Sequence, residues 1–143
     1  MSADKIFQLV NLIALIGWVL LFASHWINCK KIVVSVVVTL LALMYAWLII
    51  TNFNPADAAN FTTLDGIVHL FANKQLVLTG WVHYLAFDLM TGMFIFNNAK
   101  RHNINFWLIV PCLLFTFMLG PIGLLLYLLL RLVVTKKYFA SNC

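Results

Sequence analysis

Charge is what this sequence lacks. Its 143 residues include nine Lys or Arg and four acids, so 9% are charged, against roughly 25% in an ordinary soluble domain. A small water-soluble domain has more surface than core, and so few charges cannot solvate it. A cytosolic globule, a disordered tail and a nucleic-acid binder are all excluded. The pI near 9.3 does not restore the last, because the basic residues come in ones and twos. No nucleic-acid partner is expected.

Other absences narrow the chemistry. Cys29, Cys112 and Cys143 are too widely spaced for a disulfide framework or a C-x-x-C metal knuckle. Cys29 beside Lys30 and Lys31 suits palmitoylation, although a small apolar filler is the commoner role. Cys143 stands last, so no prenylation box is expected. No A-x-A-like cleavage site follows the first apolar run, which reads as a retained span rather than a signal peptide. No Ser-His-Asp order, phosphate-cradling glycine loop or nucleotide fingerprint occurs.

What the chain has is apolar runs, with 64% of its residues hydrophobic. They predict an all-α membrane protein forming one domain with four transmembrane helices over 5–28, 32–50, 75–98 and 106–135. The second run is β-branched, but hydrocarbon requires a backbone that bonds itself, so a helix is expected. The fourth, at about 45 Å, exceeds a core of about 30 Å. Pro111 and Pro121 predict a kink there, with Gly120-Pro121-Ile122-Gly123 its softest point and the carbonyls of Trp107 and Phe117 freed. Such a kink either fits the helix to its neighbours or lines a polar cavity.

Before the third span, Asn52-Phe53-Asn54-Pro55 predicts a turn. Thr62-Thr63-Leu64-Asp65 then predicts a helix start with capping-box spacing, opening a short amphipathic or re-entrant helix over 62–72. Leu64, Ile67, Val68, Leu70 and Phe71 form its apolar arc, and Asp65 and His69 stand opposite. With four crossings, Lys5, Lys74, Lys136 and Lys137 share one side and Lys30, Lys31, Lys100 and Arg101 the other, so the positive-inside count is a near tie. Arg131 is expected to snorkel to the headgroups, and His25 and His102 to sit at membrane edges. Gly17-Trp18-Val19 is echoed by Gly80-Trp81-Val82, a weak repeat.

The informative stretch is in the third span. A carboxylate at mid-membrane costs roughly 2.5–3.5 kcal/mol on insertion scales, so Asp88 must be protonated, paired or facing a wet cavity. Gly80, Tyr84, Asp88 and Gly92 recur every four residues, which turns Asp88 into the bundle beside Tyr84. His83 lies about 140° round from Asp88 and needs a different partner: Asp65, His69 or a freed carbonyl. These residues admit two readings: hydrogen-bond glue between helices, or a catalytic or ligand pocket. Asp65, His69, His83 and Asp88 are chemically fit for Zn or Fe, but no tight ligand motif supports a site. Metal and cofactor stay open.

Gly80-Trp81-Val82-His83-Tyr84-Leu85-Ala86-Phe87-Asp88-Leu89, with Leu70-Phe71, Pro111-Cys112-Leu113, the run from Thr116 to Tyr127 and Arg131, resembles the abscisic acid-deficient-four-like membrane proteins. The likeness is strong from Asp65 to Arg131 and loose before it. Plant members, which carry plastid targeting sequences, are required for neoxanthin formation from violaxanthin. This chain has no Arg- and Ser-rich transit sequence and is similar to a compact bacterial member, which implies the bacterial inner membrane. The resemblance implies a carotenoid or other isoprenoid partner in the bilayer and an isomerisation that opens an epoxide while a vinylic proton leaves. It implies His83, Tyr84 and Asp88 as catalytic residues, with Asp88 or His83 the base. Asp65, His69, Trp81, Gly92, Gly120 and Pro121 are the candidates for ligand contact. A non-catalytic lipid-binding or assembly subunit and a small transporter are the alternatives, and an oligomer is compatible with all three.

Overall fold

The computed structural model describes residues 2–26 and 31–136 (for 31–33 the backbone alone); Cys29, Lys30, Lys137 and Cys143 lie outside the described residues. Among the described residues six α-helices follow one another: α1 Ala3–Ala23, α2 Lys31–Asn52, α3 Leu64–Phe71, α4 Lys74–Arg101, α5 Phe106–Leu119 and α6 Pro121–Thr135. A 3-10 helix, Pro55–Thr62, precedes α3, and no strand occurs among the described residues. The fold is all-helical.

Among the described residues two helices are long and apolar enough to cross a membrane, Ala3–Ala23 and Val34–Asn52, each with mean hydropathy 2.3. Despite its β-branched run, α2 is a helix. Its polar side chains return their donors to the ladder, as when Thr39 Oγ1 donates to the Ser35 carbonyl and Thr51 Oγ1 to that of Trp47. In apolar surroundings that local bond spares each hydroxyl a lost partner.

The turn at Asn54 forms as expected, its Oδ1 accepting from Ala56 N at 3.0 Å. The cap of α3 is Thr63 rather than Thr62: its Oγ1 accepts from Gly66 N, while Thr62 donates to the Ala59 carbonyl. Of the expected apolar arc, Leu70 is buried and Ile67 half-buried, but Leu64 and Val68 are exposed.

The last two helices correct the expectation of one kinked fourth span. Gly120 has φ +46 and ψ −96, and the chain reverses there. Gly123 of α6 lies against Thr116 and the Cys112 carbonyl of α5, which a continuous helix would hold far away. Contacts with α4 trace the same reversal. Phe106 packs near Phe96, Met118 bonds Tyr84, and Tyr127 comes back to bond Asn98. Thus α5 and α6 form a helical hairpin whose tip reaches the middle of α4. Their 14 and 15 residues give about 21 and 22 Å, each short of a hydrocarbon core of about 30 Å.

Helix α4 is the axis, in contact with α1, α2, α3, α5 and α6. Val10, Val82, Leu89, Ile95 and Leu113 form the packed centre. Gly92 admits the Trp18 ring, and Gly17 admits Leu89, so α1 and α4 approach closely. The expected Gly-Trp repeat has no structural counterpart: Trp18 is buried in this contact and Trp81 is exposed. Arg131 is also corrected, since it is 1% exposed rather than extended to the surface. It sits one turn beyond Tyr127, whose hydroxyl donates to Asn98 Oδ1 at 2.6 Å.

Candidate functional site, two faces of the central helix

The polar residues of α4 divide between two faces. Towards the hairpin tip, Asp88 is 7% exposed and its Oδ2 has no hydrogen-bond partner. A Cβ on Gly120 would lie 2.5 Å from Asp88 Oδ1, so the turn closes directly on the carboxylate. One turn earlier, the Tyr84 hydroxyl donates to the Met118 carbonyl at 3.0 Å. That carbonyl lies in the last turn of α5, where no further turn supplies an N–H. It is therefore Tyr84, not His83, that takes a carbonyl freed in this region. Trp81 continues the face outward, its Nε1 donating to Asn11 Oδ1 at 3.1 Å and its ring 5.5 Å from that of Tyr84.

His83 faces elsewhere. Its ring stacks on Phe87 at 4.5 Å and meets Tyr45 of α2 edge-on at 5.2 Å. These rings border a cavity of about 130 Å³ between α2 and α4, roofed by the 3-10 helix and α3. Phe53, Phe61 and Phe71 line the roof, while Tyr45, Gly80 and His83 line the body. Gly80 keeps the space open, because a Cβ there would come 3.4 Å from the Phe71 ring.

The expected constellation is therefore not one site. His83 and Asp88 stand on different faces of α4, and Tyr84 belongs with Asp88. The sequence places Gly80, Tyr84, Asp88 and Gly92 on one stripe, but a four-residue repeat drifts about 40° per step on a helix of 3.6 residues per turn. Over three steps it passes from Phe71 of α3, through the hairpin, to Trp18 of α1. Gly92 and Gly120 are thus filled by protein, and Pro121 opens α6 as its first residue. Asp65 and His69 are exposed on α3 and do not line the cavity. No group of three or more His, Cys, Asp or Glu fit to hold a metal occurs among the described residues.

Sequence reasoning missed Tyr45, Phe53 and Phe61 as cavity residues. Tyr45 carried a signal, a polar-tipped aromatic inside an apolar run; the two phenylalanines carried none. It missed also the bond between Tyr127, one turn before Arg131, and Asn98, which is 29 positions away in sequence.

Chemically the cavity suits an apolar ring or chain that presents one polar atom. His83 is the imidazole on its wall, able to accept or donate a proton, and Tyr45 brings a phenol. No curated protein and no solved structure matches the chain. The ABA DEFICIENT 4-like family model matches residues 5–127, and the chain belongs to that family.

Proposed function

We propose that this is a multi-pass membrane protein that draws the end ring of an isoprenoid-type lipid, a carotenoid in chemical class, from the bilayer into the cavity beneath α3 and isomerises it there. The observation that carries this reading is an aromatic-lined cavity with His83 on its wall. The ligand class is the one that the resemblance to the plant members of the chain's family implies. The apolar exterior, with Leu43, Trp107 and Val133 all exposed, supports the bilayer as its surroundings. In this reading α1, α2 and α4 cross the membrane, and the α5–α6 hairpin enters it and returns.

The reaction is mass-neutral. An epoxide C–O bond breaks as a vinylic C–H bond yields its proton to His83; the C–H electron pair becomes the new C=C bond of an allene, the oxygen takes a proton from the Tyr45 phenol as the alcohol, and the proton on His83 returns to the phenolate beside it. Asp88 and Tyr84 fasten the hairpin and take no part in the proton transfer.

The test is a lipid extract of the purified protein examined by mass spectrometry, together with turnover of a xanthophyll epoxide in vesicles. Wild type should retain a polyene and convert the epoxide to a product of unchanged mass. His83→Gln should retain the pigment and lose at least tenfold in turnover, and Gly80→Leu should lose the pigment. A folded Gly80→Leu that keeps its pigment sinks the cavity assignment. Pigment retained by wild type without turnover reduces the protein to a carrier.

A further inference from the structure

The structure assigns the open end of the α5–α6 hairpin to the anionic, cytoplasmic leaflet of the membrane, with the α3 end on the opposite side. Three contacts fix which residues share an end. The Lys74–Asp4 ion pair at 2.7 Å joins the starts of α1 and α4. His25 stacks on Phe106 at 4.0 Å, joining the end of α1 to the start of α5. The Tyr127–Asn98 bond brings α6 back to the last turn of α4.

The charges then separate. The hairpin end carries Lys31, Lys100, Arg101 and Lys136, with Arg131 just inside, and no acid. Lys30 and Lys137 adjoin these in sequence. The other end carries Lys5 and Lys74 together with Asp4, Asp57 and Asp65. Lys and Arg in short loops are retained on the cytoplasmic side, where anionic headgroups attract them. A fourth full crossing would put Lys136 beside Lys5 and cancel the asymmetry. The hairpin returns it to Lys100 and Arg101, and a near tie becomes a decided orientation. An odd number of crossings follows, with the chain's two described ends on opposite sides.

The orientation rests on the reading that α1, α2 and α4 cross the membrane, and not on the cavity or its ligand. Its test is thiol labelling of Ala58→Cys and Arg101→Cys, each in the 143-residue chain with Cys29 and Cys143 changed to Ser, expressed in a bacterium. A fluorescent protein fused after residue 143 reports the third position. Arg101→Cys removes one basic residue of the cluster and leaves the asymmetry in place. Ala58→Cys should react with a membrane-impermeant maleimide in intact spheroplasts. Arg101→Cys should react at least tenfold more after permeabilisation than before it, and the fusion should fluoresce. Reversed labelling of the two cysteines overturns the orientation. A dark fusion with Arg101→Cys on the cytoplasmic side overturns the hairpin.

Discussion

Asp88 and Tyr84 answer opposite needs at the hairpin tip. Where α5 ends its carbonyls carry partial negative charge, and Tyr84 offers a donor to Met118. Where α6 begins the backbone is partially positive, and Asp88 offers an acceptor beside Gly120. A carboxylate turned inward was legible from the cost of exposing it to hydrocarbon. Its neighbour was not, because Gly120 is 32 positions away and only the chain reversal brings it close. Gly120→Ala should destabilise for two reasons, the positive φ and the approach to Asp88 Oδ1. Backbone strain of this kind costs roughly 1–3 kcal/mol. The carboxylate contact is separable by a double-mutant cycle. Gly120→Ala should cost at least about 1 kcal/mol less in an Asp88→Ala background than in wild type, measured by unfolding in detergent. Equal costs would mean that the two residues do not press on each other.

At the scale of elements, the three long helices were readable and the hairpin was not. Hydropathy sums the same apolar residues whether they form one helix of 30 or two of half that length. The discriminating signal lay in the order Gly120-Pro121. A glycine suits a helix exit at positive φ, and a proline in the first position of the next helix gives up an N–H that would have no partner there. Read as a kink, the pair exposes carbonyls along one helix; read as stop and start, it turns the chain. Gly123 is the residue that distinguishes the outcomes, since only in a hairpin does it touch α5. A methyl group there would meet Thr116 and the Cys112 carbonyl, backbone that cannot yield. Gly123→Ala should therefore separate the two helices, at a cost on the order of the 1–3 kcal/mol typical of overpacking. The Cys112 thiol, 4% exposed in the packed hairpin, should react several-fold faster with a small maleimide. Unchanged Cys112 reactivity and unchanged stability would show that α5 and α6 do not pack through Gly123.

Across the whole molecule, α4 uses two glycines for different ends. Gly92 lets α1 seat against it, and a Cβ there would lie 2.6 Å from the Trp18 ring, which is itself buried at 3% exposure. Gly80 faces the cavity, and a Cβ there meets only the tip of the Phe71 ring at 3.4 Å. Phe71 is exposed on one side and can give way, whereas Trp18 is held by Phe22 and Phe117. In a helix interior Ala is favoured over Gly by about 0.8–1.0 kcal/mol, and this gain is common to both sites. The same substitution should therefore have opposite signs. Gly80→Ala should raise unfolding stability by up to about 1 kcal/mol, while Gly92→Ala should lower it by roughly 1–3 kcal/mol through overpacking. Thermal or denaturant unfolding in one detergent compares them directly. A stabilised Gly92→Ala would mean that α1 is not seated on α4 as described. A destabilised Gly80→Ala would mean that the space beside His83 is already filled by protein, leaving no room for a ligand's ring.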